Sequence, residues 1–281
     1  MTNDPSKTLT IRRGYARDLR GVLKALSAVI REAVADEDVF AIEAAAVAAH
    51  SDRSETLFTP DRPGGFDFPR DPQKVRAFDT WLDNQLTRGI LEPNRTGNAY
   101  IERAYTQGVS QAGRDLNRVG WLEGAGSPVE AVVRRPTHRD TLETAFTRNY
   151  RQLRGFSADM GANTSRVLAD GLSRGAGPNE IARDLRGVIG TGGPSGATGA
   201  QARATMIART ESLNAYNTAA EARYREHGVE WVEVVLGSSP CDRCESLWAN
   251  NPHRLSTFVG TLPYHPRCTC STVPMPPDFS P

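Results

Sequence analysis

The chain has 281 residues, enough for one large or two modest domains, and a formal net charge of +1, so no global field recruits nucleic acid. Aromatic residues are sparse, mean hydropathy is negative, and no apolar run approaches the length that a membrane-crossing helix needs. A soluble protein is therefore expected. Lysine occurs only at Lys7, Lys24 and Lys74 against 31 arginines, a bias that a GC-rich genome produces without any functional demand.

The first predicted element is a helix over 10–49. Leu19, Val22, Leu23, Leu26, Val29 and Ile30 recur at three- and four-residue steps, and an alanine-rich stretch follows. Pro60, Pro63, Gly64, Gly65, Pro69 and Pro72 make 58–72 a loop. A helix over 73–91 presents Val75, Phe78, Trp81, Leu82 and Leu86 on one face, and Pro93 stops it. A third helix, 98–119, carries Tyr100, Ile101, Ala104, Tyr105 and Val109. Glycines and prolines make 120–136 a linker or exposed loop. A fourth helix follows with Leu142, Phe146, Tyr150 and Leu153 on one face, and 156–174 continues in helical style. Gly175-Ala-Gly177-Pro178 ends one helix and starts another, since proline suits a first helical turn; the short helix that follows uses Ile181, Leu185 and Val188.

Residues 190–200 are glycine-rich and read as a flexible loop; a phosphate cradle would need a Gly-Lys-Ser/Thr ending and a preceding strand, and both are missing. From 201 to 227 the chain is helical again, and so rich in alanine that the helix can sit close against a neighbour. Val229–Val235 alternates with β-branched residues and reads as a strand. The final stretch, 273–281, is proline-rich and expected to run extended over the surface.

The chain's four cysteines lie near its end, as Cys241-Asp-Arg-Cys244 and His265-Pro-Arg-Cys268-Thr-Cys270. Two cysteines with two residues between them grip one ion from a single turn, and two cysteine clusters separated by about twenty residues have the spacing of one tetrahedral site. Cys268 and Cys270, two apart, point to the same side of an extended segment, so a strand ending in Cys-Thr-Cys can offer both sulfurs. Pro266 holds His265 extended, as a competing ligand or as a neighbour hydrogen-bonded to a thiolate. Five donors compete for four positions. The four sulfurs are favoured, with His265 the rival to Cys268 or Cys270. The N-terminus shows no signal peptide, so a reducing compartment is expected, which disfavours the alternative of two disulfides. A closed structural zinc site is expected over a catalytic one, because small β-rich lobes rarely hold themselves together unaided. Pro240-Cys241-Asp-Arg-Cys244 also matches half of a nucleobase deaminase signature, but the upstream half is wanting: His227-Gly-Val-Glu230 has one residue too many.

Residues 201–274 resemble the phage Mu F-like minor head protein family. The resemblance is carried by Ala208-Arg209-Thr210-Glu211 on a helix, Trp231 on a strand, Cys241-x-x-Cys244, and His265-Pro266-Arg267-Cys268-Thr269-Cys270, in that order. Many members place an aspartate just before the first cysteine; here the segment is Gly237-Ser-Ser-Pro240, so any chemistry of that aspartate would be missing. The resemblance implies an α+β protein: an extended N-terminal α-helical region followed by a small metal-stapled α+β C-terminal domain. Its expected parts are an N-terminal helical segment 1–60, an α-helical region 61–190 that is the portal-docking candidate, the Mu F-like domain 200–274 and a Pro-rich tail 275–281. It further implies a low-copy virion component, inside the head near the portal and in the host cytoplasm during assembly. Its partners would be the portal protein and, in addition, major capsid protein or scaffold and packaged DNA. Its cofactor would be structural zinc and its role non-enzymatic, in assembly, packaging or genome delivery.

Two further groups of residues carry alternative readings. Arg209 and Glu211, two apart on a helix, face roughly opposite ways; each makes a buried ion pair or cap, or else, with His265, they build a phosphate- or nucleic-acid-acting site of a small nuclease or transferase. Arg134, Arg135, Arg139, Arg148, Arg151 and Arg154, against Asp140 and Glu143, form a basic patch that would meet DNA phosphates, meet acidic portal surface, or be a solvated helix face.

Overall fold

The computed structural model describes residues 4–36, 74–124, 126–190, 199–266 and 268–281. Helices dominate, and a three-stranded sheet near the C-terminus makes the fold class α+β. The helices are α1 (Leu9–Arg31), α2 (Lys74–Leu86), α3 (Ala99–Arg118), α4 (Val129–Val133), α5 (Pro136–Ser173), α6 (Pro178–Ile189), α7 (Ala200–Glu226), α8 (Asp242–Ala249) and α9 (Leu255–Phe258). The strands are β1 (Trp231–Val235), β2 (His253–Arg254) and β3 (Ser271–Pro274). Three expectations lie wholly or partly outside the described residues: the helix beyond residue 36, the loop 58–72 and most of the glycine-rich stretch 190–200.

Two compact units form, each from separated stretches: Met1–Arg17, Asn94–Arg151 and Thr205–Pro281 in one, Asp18–Pro93 and Gln152–Ala204 in the other. The segments expected from sequence, 1–60, 61–190 and 200–274, do not follow these units, because α1, α5 and α7 each contribute residues to both.

In the second unit most of the predicted apolar positions are buried: Leu19, Leu23, Leu26 and Ile30 of α1, Phe78, Trp81, Leu82 and Leu86 of α2, and Ile181 and Leu185 of α6; Val22, Val29 and Val188 are half-buried, and Ile189 rather than Val188 is the buried residue at the end of α6. Gly175 closes the end of α5 with a positive φ of 67°, and Ala176 N–H reaches back to the Gly171 carbonyl at 2.9 Å. Pro178 then opens α6 from the first-turn position that its ring favours.

The first unit departs from the sequence reading in instructive places. The stretch 120–136, expected as linker, holds α4. The fourth helix and its continuation merge into one 38-residue α5. Leu142, Phe146 and Tyr150 are only half-buried there, whereas His138, Ala145 and Asn149 face the core. Polar residues replace the expected apolar face because each has a partner: Tyr105 Oη meets His138 Nδ1 at 2.8 Å, and Tyr15 Oη donates to Asn149 Oδ1 at 2.9 Å. Asn98 caps α3 by accepting from the Tyr100 and Ile101 amides.

Helix α7 is the centre of this unit. Every residue from Glu211 to Tyr224 is buried except half-buried Thr218. Its small side chains do allow close approach: a Cβ added to Gly108 of α3 would stand 2.3 Å from the Tyr216 carbonyl oxygen and 2.8 Å from Ala219 Cβ. The sheet is antiparallel, in the order β2-β1-β3. Its registers are Val232↔His253 and Val234↔Thr272. Just before β2 begins, the Asn251 side chain takes a strand's place: its Oδ1 accepts from Val234 N and its Nδ2 donates to the Val234 carbonyl. Val232 and Val234 point into a core shared with Ala112 and Leu116 of α3, Ala220 and Tyr224 of α7, Leu255, Phe258, and three of the cysteines. The tail beyond β3 is pinned at its start, where Met275 N–H bonds to the Trp231 carbonyl and Trp121 Nε1 donates to the Met275 carbonyl.

Glu221 on α7 accepts from Gly260 N–H through Oε2 at 3.1 Å, while its Oε1 has no partner. Burial pushes its pKa from 4.5 up to about 7, against the Gly260 hydrogen bond and Arg225, which pull it down. An acid whose folded-state pKa is raised loses stability as pH climbs from the unfolded value to the folded one. Two predictions follow from this architecture. Gly108→Ala should cost about 1–3 kcal/mol, seen as a lower denaturant midpoint with an unchanged slope. Glu221→Gln should leave stability unaltered near pH 4 and raise it above pH 7 by up to roughly 3 kcal/mol, read from urea melts across that range.

Candidate metal centre

Cys241 is the N-cap of α8, with extended backbone (φ −107°, ψ 167°), and Glu245 N–H bonds to its carbonyl. Cys244 lies in the first helical turn, so the three-residue spacing puts both sulfurs on one side of the turn, 3.8 Å apart. His265 enters from the segment after α9, with Nε2 at 3.2 Å from both sulfurs. Cys268 N–H bonds to the His265 carbonyl, and this turn brings Cys268 Sγ to 3.8 Å from Cys244 Sγ. Cys268-Thr-Cys270 leads into β3 rather than ending a strand, but the alternation expected of extended chain holds: both sulfurs join the cluster, and Thr269 between them packs on Gly237. A Cβ at Gly237 would stand 1.9 Å from Thr269 Oγ1, so only glycine lets these two segments meet.

The donors fall into two triads that share Cys244: Cys241, Cys244 and His265, and Cys244, Cys268 and Cys270, with the donor atoms of each triad all within 4.8 Å of one another. Cys244, Cys268 and Cys270 are almost wholly buried, and Cys241 and His265 form the outer edge. Sulfur separations of 3.8 Å are far beyond a disulfide bond of about 2.05 Å. They match the edge of about 3.8 Å of a tetrahedron whose centre lies about 2.3 Å from each sulfur. All four cysteines are free thiols. The donor set therefore fits a thiophilic metal ion.

The thiols differ in acidity for local reasons. The Cys244 backbone N–H holds the Cys241 thiol below its ordinary value. The neighbouring Cys270 thiol holds Cys268 below its ordinary value, and Cys268 and burial together raise Cys270. Burial pushes Cys244 up to about 11.

The other predicted residues are distributed as follows. Thr210 Oγ1 donates to the Pro266 carbonyl at 2.9 Å, which ties the Ala-Arg-Thr-Glu helix to the His-Pro-x-Cys-x-Cys segment. Farther along α7, Asn217 Nδ2 donates to the Cys270 carbonyl at 3.4 Å and Tyr224 Oη to the Thr272 carbonyl at 3.1 Å. Arg209 is half-buried and lines a groove of about 730 Å³ together with His265, Cys241, Ser238 and Ser239. Glu211 is absent from that lining. It is buried and accepts from Arg148 Nε at 3.0 Å; burial raises its pKa and Arg148 opposes the rise. The structure thus brings Arg209 and His265 to one groove and gives Glu211 a different partner.

The six arginines of the basic patch do not act as one set. Arg135 pairs with Glu226 at 3.1 Å and Arg148 with Glu211, while Arg134, Arg139, Arg151 and Arg154 are exposed. Sequence reasoning did not find Arg148 as the partner of Glu211, nor Asn217 and Glu221 as stitches of α7. Their spacing along the helix from Thr210, in steps of seven and four, was the available signal. Compared with protein-family models, with curated proteins and with solved structures, the chain matches none.

Arg148→Ala should leave the Glu211 carboxylate buried without its cation and cost about 1–3 kcal/mol, while Glu211→Gln with Arg148 retained should cost less. Thermal melts of both variants at neutral pH check this order.

Proposed function

We propose that this chain is a minor head protein of a tailed phage, of the Mu F-like kind, present at low copy in the virion interior beside the portal. The observation that carries the proposal is the joining of its motifs. The helix bearing Ala208-Arg209-Thr210-Glu211 is hydrogen-bonded through Thr210 to Pro266, inside the segment whose His265, Cys268 and Cys270 meet Cys241 and Cys244. Motifs that are far apart in sequence thereby form one physical unit, as a shared structural role for them requires. In this reading the portal protein is the principal partner, met through the helical region, and major capsid protein, scaffold or packaged DNA are further partners. The exposed Arg134, Arg139, Arg151 and Arg154 supply cations for an acidic protein surface or for phosphates.

The ion is zinc, held by the cysteines and His265 as a structural fastener. It supplies cross-linking of two chain segments, and the folding energy that comes with it. The residues themselves do the positioning: Thr210, Asn217 and Tyr224 set the path of the 266–272 segment, and Gly237 lets Thr269 pass.

A second reading, an enzyme acting on phosphate or nucleic acid, is favoured by one observation only, the groove that Arg209 and His265 share. Burial of Glu211 against Arg148 removes the third residue that reading needs from the groove.

Native mass spectrometry of the purified chain should show one zinc. Chelation should destabilise the protein by about 3 kcal/mol or more, a fall of roughly 6–12 °C in Tm. In a phage carrying Cys241→Ala, incorporation into heads should drop. Alanine at Glu211 or His265 that leaves particles normal while abolishing a hydrolytic or transfer activity would instead establish the enzyme.

A further inference from the structure

We propose that a second groove, beside α3 and remote in sequence from the cysteines, binds a phosphomonoester carried on a small apolar body. Neither the head-protein reading nor the zinc is needed for it. The groove has a volume of about 590 Å³ and lies wholly within the first unit. Small organic ligands occupy cavities of about 300–1,000 Å³. Its walls are α3, with Ser110, Gly113 and Arg114; the segment entering α4, with Ser127 and Val129; and α7, with Arg223. No carboxylate is among the described lining residues.

Arg223 supplies the first step. A buried guanidinium is costly unless its charge and its N–H groups are answered. Arg223 is 3% exposed, and Glu226 Oε2 accepts from its Nη1 at 2.7 Å. The same oxygen also accepts from Arg135 Nη1 at 3.1 Å. Two guanidinium groups thus share one carboxylate oxygen, and the corner keeps positive charge. A guanidinium has five N–H donors. Arg223 Nε and Nη2 are not among the sealed, unsatisfied atoms, so they open to the groove that the side chain lines.

Hydroxyl donors stand beside these cations. Ser110 Oγ accepts from Arg114 Nη1 at 2.8 Å, and Ser127 Oγ accepts from Arg135 Nη2 at 3.1 Å. A hydroxyl that accepts keeps its own proton to give. Three cations, Arg114, Arg135 and Arg223, against Glu226 suit a ligand of more than one charge, and a phosphomonoester carries about −1.5 to −2 at pH 7. Val109, Val129 and Val132 give the lining an apolar side for the ester's organic part. Gly113 keeps the space open. Glycine is unfavourable inside a helix, and a Cβ there would meet nothing within 4 Å. Close packing explains Gly108 but not Gly113.

Isothermal titration calorimetry of the full chain tests this with phenyl phosphate, inorganic phosphate, benzoate and a short single-stranded oligonucleotide. Phenyl phosphate should bind one per chain and tighter than the other three. Arg114→Gln, at an exposed position, should weaken it by about tenfold or more. Gly113→Leu should abolish binding by filling the groove, with Tm unchanged or raised. No phenyl phosphate binding up to millimolar concentration overturns the proposal, as does binding that both variants leave intact. Equal affinity for inorganic phosphate overturns the apolar body, and equal affinity for benzoate overturns the phosphate. An oligonucleotide that binds tighter than phenyl phosphate and is lost from Arg114→Gln overturns the monoester and gives the groove to a nucleic-acid backbone.

Discussion

A helix buried on all sides cannot leave its polar groups to solvent, and α7 between Glu211 and Tyr224 is such a helix. Much of the first unit follows from how that constraint is met. Thr210, just before the buried stretch, and Asn217, Glu221 and Tyr224 within it recur at steps of seven, four and three, so they lie along one face. Each is hydrogen-bonded to the backbone of the C-terminal segment, at Pro266, Cys270, Gly260 and Thr272. The helix acts as a template along which an otherwise irregular chain is laid. Glu211 lies off this line and is answered by Arg148 from α5.

The cysteine cluster depends on that template. Its donors come from the first turn of α8 and from the segment between α9 and β3, two pieces with little regular structure between them. What brings them together is the fixing of Pro266 and Cys270 by α7 on one side and the glycine contact of Gly237 with Thr269 on the other. The buried sulfurs are also members of the apolar core, packed with Val232, Val234, Leu255 and Phe258 and with residues of α3 and α7. Cysteine serves both ends here, as a small hydrophobe and as a soft ligand. The sheet and the cluster thus share a core with two long helices.

Buried polar pairs explain where helix periodicity misleads. On α5 the inward positions include His138 and Asn149, matched by Tyr105 and Tyr15. A reader of hydropathy assigns such positions to the surface and looks to Leu142, Phe146 and Tyr150 instead, which are only half-buried. The same logic hides the importance of α7, whose buried face mixes alanine with Glu211, Asn214, Asn217 and Glu221.

By itself the amino-acid sequence determined the helical character of the chain, a strand ending at Val235, the turn at Gly175–Pro178 and the identity of the five candidate donors. These are local matters: periodicity, backbone restriction by proline and glycine, and the chemistry of cysteine and histidine spaced for one ion. Only the tertiary structure decided that α1, α5 and α7 each serve both compact units, that Glu211 belongs to Arg148, and that Thr210 is tied to Pro266. It likewise decided that His265 stands equally close to two sulfurs, which no spacing rule contains. The physical reason is that partners of buried polar groups are chosen by distance in space. Residues 63 and 56 positions apart, as in the last two pairings, leave no mark on each other in a linear pattern.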